Sequence, residues 1–212
     1  IANGEKWNFT SMNQCLAKYH NEVGPFLGYP MVVGHAWNFT RHKETREYLV
    51  DPCDTANAGV NFAGVACECP TGGVGSTGCI ITSVCLPCGG LQGSATQFLT
   101  HLSASFTDLQ LLDLGLNSLE GTIPACLGDM TKLKLLLINK NNLNGQIPTE
   151  IQRLGQLELL DLHTNALIGS IPKEINNMVK LSRLILAENQ LSENIPYLGG
   201  LTNLHTLILK TN

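Results

Sequence analysis

Residues 109–132 read LQLLDLGLNSLEGTIPACLGDMTK, and three further stretches repeat that frame: LKLLLINKNNLNGQIPTEIQRLGQ at 133–156, LELLDLHTNALIGSIPKEINNMVK at 157–180 and LSRLILAENQLSENIPYLGGLTN at 181–203. A fifth copy runs from Leu204 to Asn212. Asparagines mark the phase, Asn117, Asn141, Asn165, Asn189 and Asn212, at steps of 24, 24, 24 and 23. A fixed period of this length marks a chain of stacked, near-identical coils. It is not a multiple of a heptad, so a long leucine-rich helix is excluded.

Each position of the frame has a physical reading. Leu112 and Leu114 are two apart, the spacing of a strand, so both point to one side. Leu109, Leu119, Ile123 and Leu127 fill the rest of one coil's interior. One coil alone cannot bury them. Stacked coils can, through columns such as Leu114, Ile138, Leu162, Leu186 and Leu209. The asparagine amide has donors and an acceptor with which to bond the turning backbone of neighbouring coils. Gly121, Gly145 and Gly169 allow backbone shapes that other residues resist. Pro124, Pro148, Pro172 and Pro196 fix φ where the chain leaves the strand. The fourth unit departs twice: Glu193 replaces the glycine, and the unit is one residue short after Pro196. An earlier, irregular unit aligns Val84, Leu86, Leu91 and Gly93 with Leu112, Leu114, Leu119 and Gly121.

The string LxxLxLxxNxLxGxIP resembles the plant-type extracellular leucine-rich repeat of receptor-kinase ectodomains and polygalacturonase-inhibiting proteins. The resemblance implies an α/β solenoid, a right-handed superhelix with a parallel sheet on its concave face and a disulfide-stapled N-terminal cap. Upstream, Asp51-Pro52-Cys53 followed by NFAGVAC at 61–67 looks like that cap, with Phe62 where the family often has Trp. The cap motif implies a Cys53–Cys67 disulfide. A helix near Ser11–Glu22 fits its first element. The expected organisation is a cap with disulfides and glycans at 1–78, an irregular first repeat at 79–108 and regular repeats at 109–212.

Eight cysteines, seven of them between Cys15 and Cys88, point to an oxidising compartment. Cys69 and Cys79 flank PTGGVGSTG and could close it as a second bridge. Cys85-x-x-Cys88 with Cys67-x-Cys69 has the chemistry of a zinc site but lacks the ribbon spacing, so neither a metal nor another cofactor is expected. Two sequons, at Asn8 and Asn38, each sit in a Trp-Asn-Phe-Thr string and predict N-glycosylation. Together these features predict an extracellular protein. No apolar run reaches the length of a membrane helix. Net charge is −4, shared evenly about residue 90, so no basic region points to nucleic acid.

Between the inward leucines, alternate strand residues face the other side of the sheet, the surface such solenoids offer to partners. The expected partner-binding residues are Leu111, Asp113, Leu135, Leu137, Leu159, Asp161, His163, Arg183, Ile185 and Ile208. Leu111, Leu135 and Leu159 are expected as one exposed apolar column, and Leu137, Ile185 and Ile208 as part of another; contiguous exposed apolar surface marks an interface. Asp113 and Asp161 are two coils apart, about 10 Å at the usual strand spacing, too wide for a retaining glycosidase pair. They read as solvated surface carboxylates, and no catalytic motif accompanies them, so no enzyme is expected. The expected function is an extracellular recognition module for a protein, a peptide or a cell-wall glycan. The alternative is a structural glycoprotein of a larger assembly, held through the apolar concave face or through the C-terminal coil, whose leucines have no cap after Asn212.

Overall fold

A computed structural model describes residues 65–68, 80–87, 90–192 and 194–212. The Ser11–Glu22 helix, Asn8, Asn38, Cys53, Cys69, Cys79 and Glu193 lie outside the described residues. So does the side chain of Cys67.

The period-two leucines form a seven-stranded sheet. Its strands are β1 (Val65–Glu68), β2 (Ile80–Cys85), β4 (Leu111–Asp113), β6 (Leu135–Leu137), β8 (Leu159–Asp161), β10 (Arg183–Ile185) and β12 (Thr206–Ile208). β1 and β2 pair antiparallel and every later pair is parallel. Register is constant, so Val84, Leu112, Leu136, Leu160, Leu184 and Leu207 stand in one row.

A second sheet lines the opposite side of the coils, which sequence reading did not foresee. It runs in the order β11 (Gln190–Leu191), β9 (Ala166–Gly169), β7 (Asn142–Gly145), β5 (Ser118–Thr122) and β3 (Gln92–Ser94). The three frame glycines end β7 and β9 or sit near the end of β5, with φ of +91° at Gly121, +73° at Gly145 and +77° at Gly169. A Cβ at Gly145 would lie 2.8 Å from Thr122 Cγ2, so the glycine also permits close stacking.

After each proline the chain makes a short 3-10 turn, at Ala125–Asp129, Thr149–Arg153 and Lys173–Asn177. These turns drop Leu127, Ile151 and Ile175 into the interior. In the irregular first unit a full helix, α1 (Ala95–Ser105), replaces the turn. Ser94 caps it by accepting from Gln97 N at 3.3 Å. Its buried residues, Ala95, Leu99, Leu102 and Ser103, recur at helical spacing and close that end of the core.

The interior is the one expected. Leu109, Leu112, Leu114, Leu119, Ile123 and Leu127 are buried, as are Ile138, Leu162 and Leu186 in the column of Leu114. The asparagine ladder holds coil to coil. Asn141 Oδ1 accepts from Leu119 N at 3.0 Å, and its Nδ2 donates to Leu114 O at 2.9 Å, both in the preceding coil. Asn165 and Asn189 repeat the pattern with Leu143 N and Ile138 O, and with Leu167 N and Leu162 O. Immediately before each ladder asparagine stands a residue in the left-handed region: Leu116, Lys140, Thr164, Glu188 and Thr211, with φ between 53° and 61°. None is glycine, so each carries backbone strain. That turn aims the following amide inward, where it bonds buried backbone groups.

Candidate functional site

Strand alternation places the second set of residues of the seven-stranded sheet on the face away from the interior. Two register rows cross it. One runs Ser83, Leu111, Leu135, Leu159, Arg183, Thr206; the other runs Cys85, Asp113, Leu137, Asp161, Ile185, Ile208. The structure therefore brings nine of the ten expected partner-binding residues into two adjacent rows. His163 follows two positions beyond Asp161, over the same face.

Exposure differs from expectation. Leu135, Leu137 and Leu159 are 3%, 0% and 2% exposed, and they form an apolar cluster of their own, separate from the solenoid interior. Leu111 and Ile185 are half-buried against it. The expected open leucine column is thus corrected to a closed apolar strip. Constant register sets like side chains beside one another at about 4.8 Å, so they pack sideways as well as outward. Among the described residues of these rows, Leu111 and Ile185 are half-buried and Ile208, on the last strand, is 41% exposed.

The two carboxylates are corrected in the same way. Asp113 and Asp161 are buried, not solvated. Asp113 accepts from Gly115 N at 3.0 Å. Asp161 accepts from His163 N at 3.1 Å and contacts His163 Nδ1 at 2.6 Å. An ionised carboxylate can only accept, so Nδ1 carries a proton in this contact. As expected, Leu137 separates the two carboxylates. Neither carboxylate shares a site with the other, and among the described residues no cluster of His, Cys, Asp and Glu could hold a metal ion.

Two further groups on this face lie outside the expected partner-binding set. Asn139, next to His163 in the stack, is fully buried, and among the described residues its Oδ1 and Nδ2 have no hydrogen-bond partner. An unbonded buried amide costs ~1–3 kcal/mol. Its position two residues beyond Leu137 was the available signal. Cys85 opens the second row as a free thiol. Burial first, and then the register-paired Asp113 carboxylate, push that thiol up to about 12. At pH 8 its thiolate fraction is about a thousandfold below that of an ordinary cysteine. Iodoacetamide labelling at pH 8, followed by peptide mapping, should leave Cys85 essentially unmodified in folded protein and modify it on unfolding. Rapid labelling of the folded chain would contradict this environment.

The leucine-rich-repeat family model matches residues 108–130 and 156–178. No curated protein sequence matches the chain. Solved structures do. The ectodomain of the receptor kinase SOBIR1 from Arabidopsis thaliana is 26% identical over 74% of this chain and 88% of that one, with a TM-score of 0.60. A chain of the BIR3–SERK2 complex from Arabidopsis thaliana is 32% identical over 68% of this chain and 72% of that one, with a TM-score of 0.55. The Arabidopsis receptor kinase HAESA, in complex with the peptide hormone IDA and the co-receptor SERK1, is 33% identical over 69% of this chain, with a TM-score of 0.54. Against the longer receptors the chain spans a minor part of the length, 27% of HAESA and 16% of PEPR1.

Proposed function

This chain belongs to the leucine-rich-repeat family, with plant receptor-kinase ectodomains as its relatives, and we propose that it is an extracellular, non-catalytic recognition module. Its partner is a protein or an extended peptide. HAESA, whose structure holds a peptide hormone and a co-receptor, supports that partner class. Disulfides in the cap and glycans at Asn8 and Asn38 belong to the same reading of an extracellular chain. Among the described residues no helix is long and apolar enough to cross a membrane.

One observation carries the choice of surface. The face of the seven-stranded sheet away from the interior has an apolar cluster separate from the solenoid core, with Leu111 and Ile185 half-buried at its margins. We place the contact on His163, Arg183, Ile185 and Ile208 of that face, with Asp161 holding the His163 ring. Apolar positions there supply area, and the ring nitrogen supplies a directional hydrogen bond.

A displayed library of short linear peptides tests the reading. Enriched peptides should bind the native chain and lose tenfold or more in affinity, about 1.4 kcal/mol, when Ile185→Glu sets a charge in the apolar row. Glu120→Lys, at an exposed position of β5 in the second sheet, should leave affinity unchanged. Loss at Glu120 with none at Ile185 would move the partner to the other face and sink this proposal.

A further inference from the structure

The fourth unit breaks the frame, and the break changes the surface. In the first three units the residue three beyond the proline bonds back to the proline carbonyl: Leu127 N to Pro124 O at 3.0 Å, Ile151 N to Pro148 O at 3.1 Å, Ile175 N to Pro172 O at 3.1 Å. With one residue fewer, Leu198 already stands two beyond Pro196 and packs on the interior, and Leu201 is buried as Met130, Leu154 and Met178 are. No 3-10 turn forms after Pro196. The core register is kept, and the missing residue is taken from the outer turn.

What remains at that spot is Tyr197. It is 80% exposed and lies over Gly199, where a Cβ would collide with its hydroxyl oxygen. Gly200 presses on the preceding turn, donating from its N to Asn176 Oδ1 at 2.7 Å. Beside the ring opens a cavity of about 350 Å³ lined by Lys173, Glu174, Asn176, Asn177 and Tyr197. Asn177 Nδ2 is engaged by Gln152 Oε1 at 2.8 Å. That leaves Asn176 Nδ2 as a donor and Asn177 Oδ1 as an acceptor.

We propose that this cleft is a binding site for a neutral saccharide. A pyranose ring has an apolar C–H face and a hydroxyl edge. Tyr197 offers the first a flat aromatic surface; the two amides offer the second a donor and an acceptor. Lys173 and Glu174 balance in charge and can serve adjacent hydroxyls. No second apolar side chain lines the cleft, which disfavours the side chain of a peptide; Glu174 disfavours an anion. The site lies on the turn side of the coils, so it stands or falls independently of the partner surface on the other sheet face. A shallow, open cleft with one aromatic makes a weak site, suited to a polymer presenting many copies of the ring.

Isothermal titration of the full chain with cellohexaose and mannohexaose, and with hexagalacturonate as the charged comparison, tests it. At least one neutral hexamer should bind saturably. Tyr197→Ala should weaken that binding about tenfold or more, and Tyr197→Trp should retain it. Melting temperature should stay the same in both variants, because the ring is outside the core. Failure of both neutral hexamers to bind, binding unchanged in Tyr197→Ala, or tighter binding of hexagalacturonate that ignores Tyr197 would each overturn the proposal.

Discussion

Asn141→Leu is expected to destabilise the chain by about 2–3 kcal/mol, a large share of the 5–15 kcal/mol that holds an ordinary domain. Leucine matches asparagine in size but makes none of its bonds. The amide accepts from Leu119 N and donates to Leu114 O, Ile138 O and Asn139 O. Its removal orphans Leu119 N, on a buried residue of the preceding coil, while Leu114 O keeps only the bond from Asn117 Nδ2 at 2.9 Å. A donor left unbonded away from water costs ~1–3 kcal/mol. It also removes the compensation for the left-handed turn at Lys140. Urea denaturation of the variant against the parent chain measures the loss. Asn142→Leu, one residue on and exposed, should change stability by no more than about 0.5 kcal/mol. A loss below about 1 kcal/mol at Asn141 would mean that the ladder follows the stacking of coils and does not hold it.

The second large effect is a cavity. Leu160→Ala is expected to cost about 3–4 kcal/mol, within the span seen for a buried leucine truncated where neighbours cannot collapse inward. Leu160 is fully buried and stands in register between Leu136 and Leu184. The void therefore opens toward the coil on each side. Because each coil touches only its neighbours, the damage should be local. Hydrogen exchange should quicken in β6, β8 and β10, while α1 keeps the protection of the parent. Uniform quickening across the chain, α1 included, would show a single cooperative unit in place of a stack.

How far the sequence disclosed this architecture depends on which signal each element leaves. Inward leucines, the asparagine ladder and the left-handed glycines repeat every 24 residues, so a side chain's role can be read from its phase. The second sheet leaves no such trace. Its strands are two to five residues long, and four of the five carry a glycine. Alternation over so few positions is indistinguishable from a loop. The left-handed row at Leu116, Lys140, Thr164, Glu188 and Thr211 is equally silent, because the strain is offset by the amide that follows and not by choice of residue. On the candidate site, alternation told which side of the sheet Leu135, Leu137, Asp113 and Asp161 occupy. It did not tell depth, and their burial came as a correction. A hint was available for the carboxylates: an aspartate two residues before a turning backbone is placed to accept from its N–H, as Asp113 does from Gly115 and Asp161 from His163.

The constant register has a consequence best put in the language of crystals. A stack in which every coil meets the next through the same bonds has translational symmetry in one dimension, with a unit cell of 24 residues. In such a lattice the frame residues are the same in every cell, so the frame itself marks a position only at a defect. Here the described repeats contain a 23-residue cell, and the deletion has been absorbed at the outer turn, leaving the interior phase intact. The tyrosine and its cleft sit at that point defect, where the outer turn differs from those of the three preceding coils.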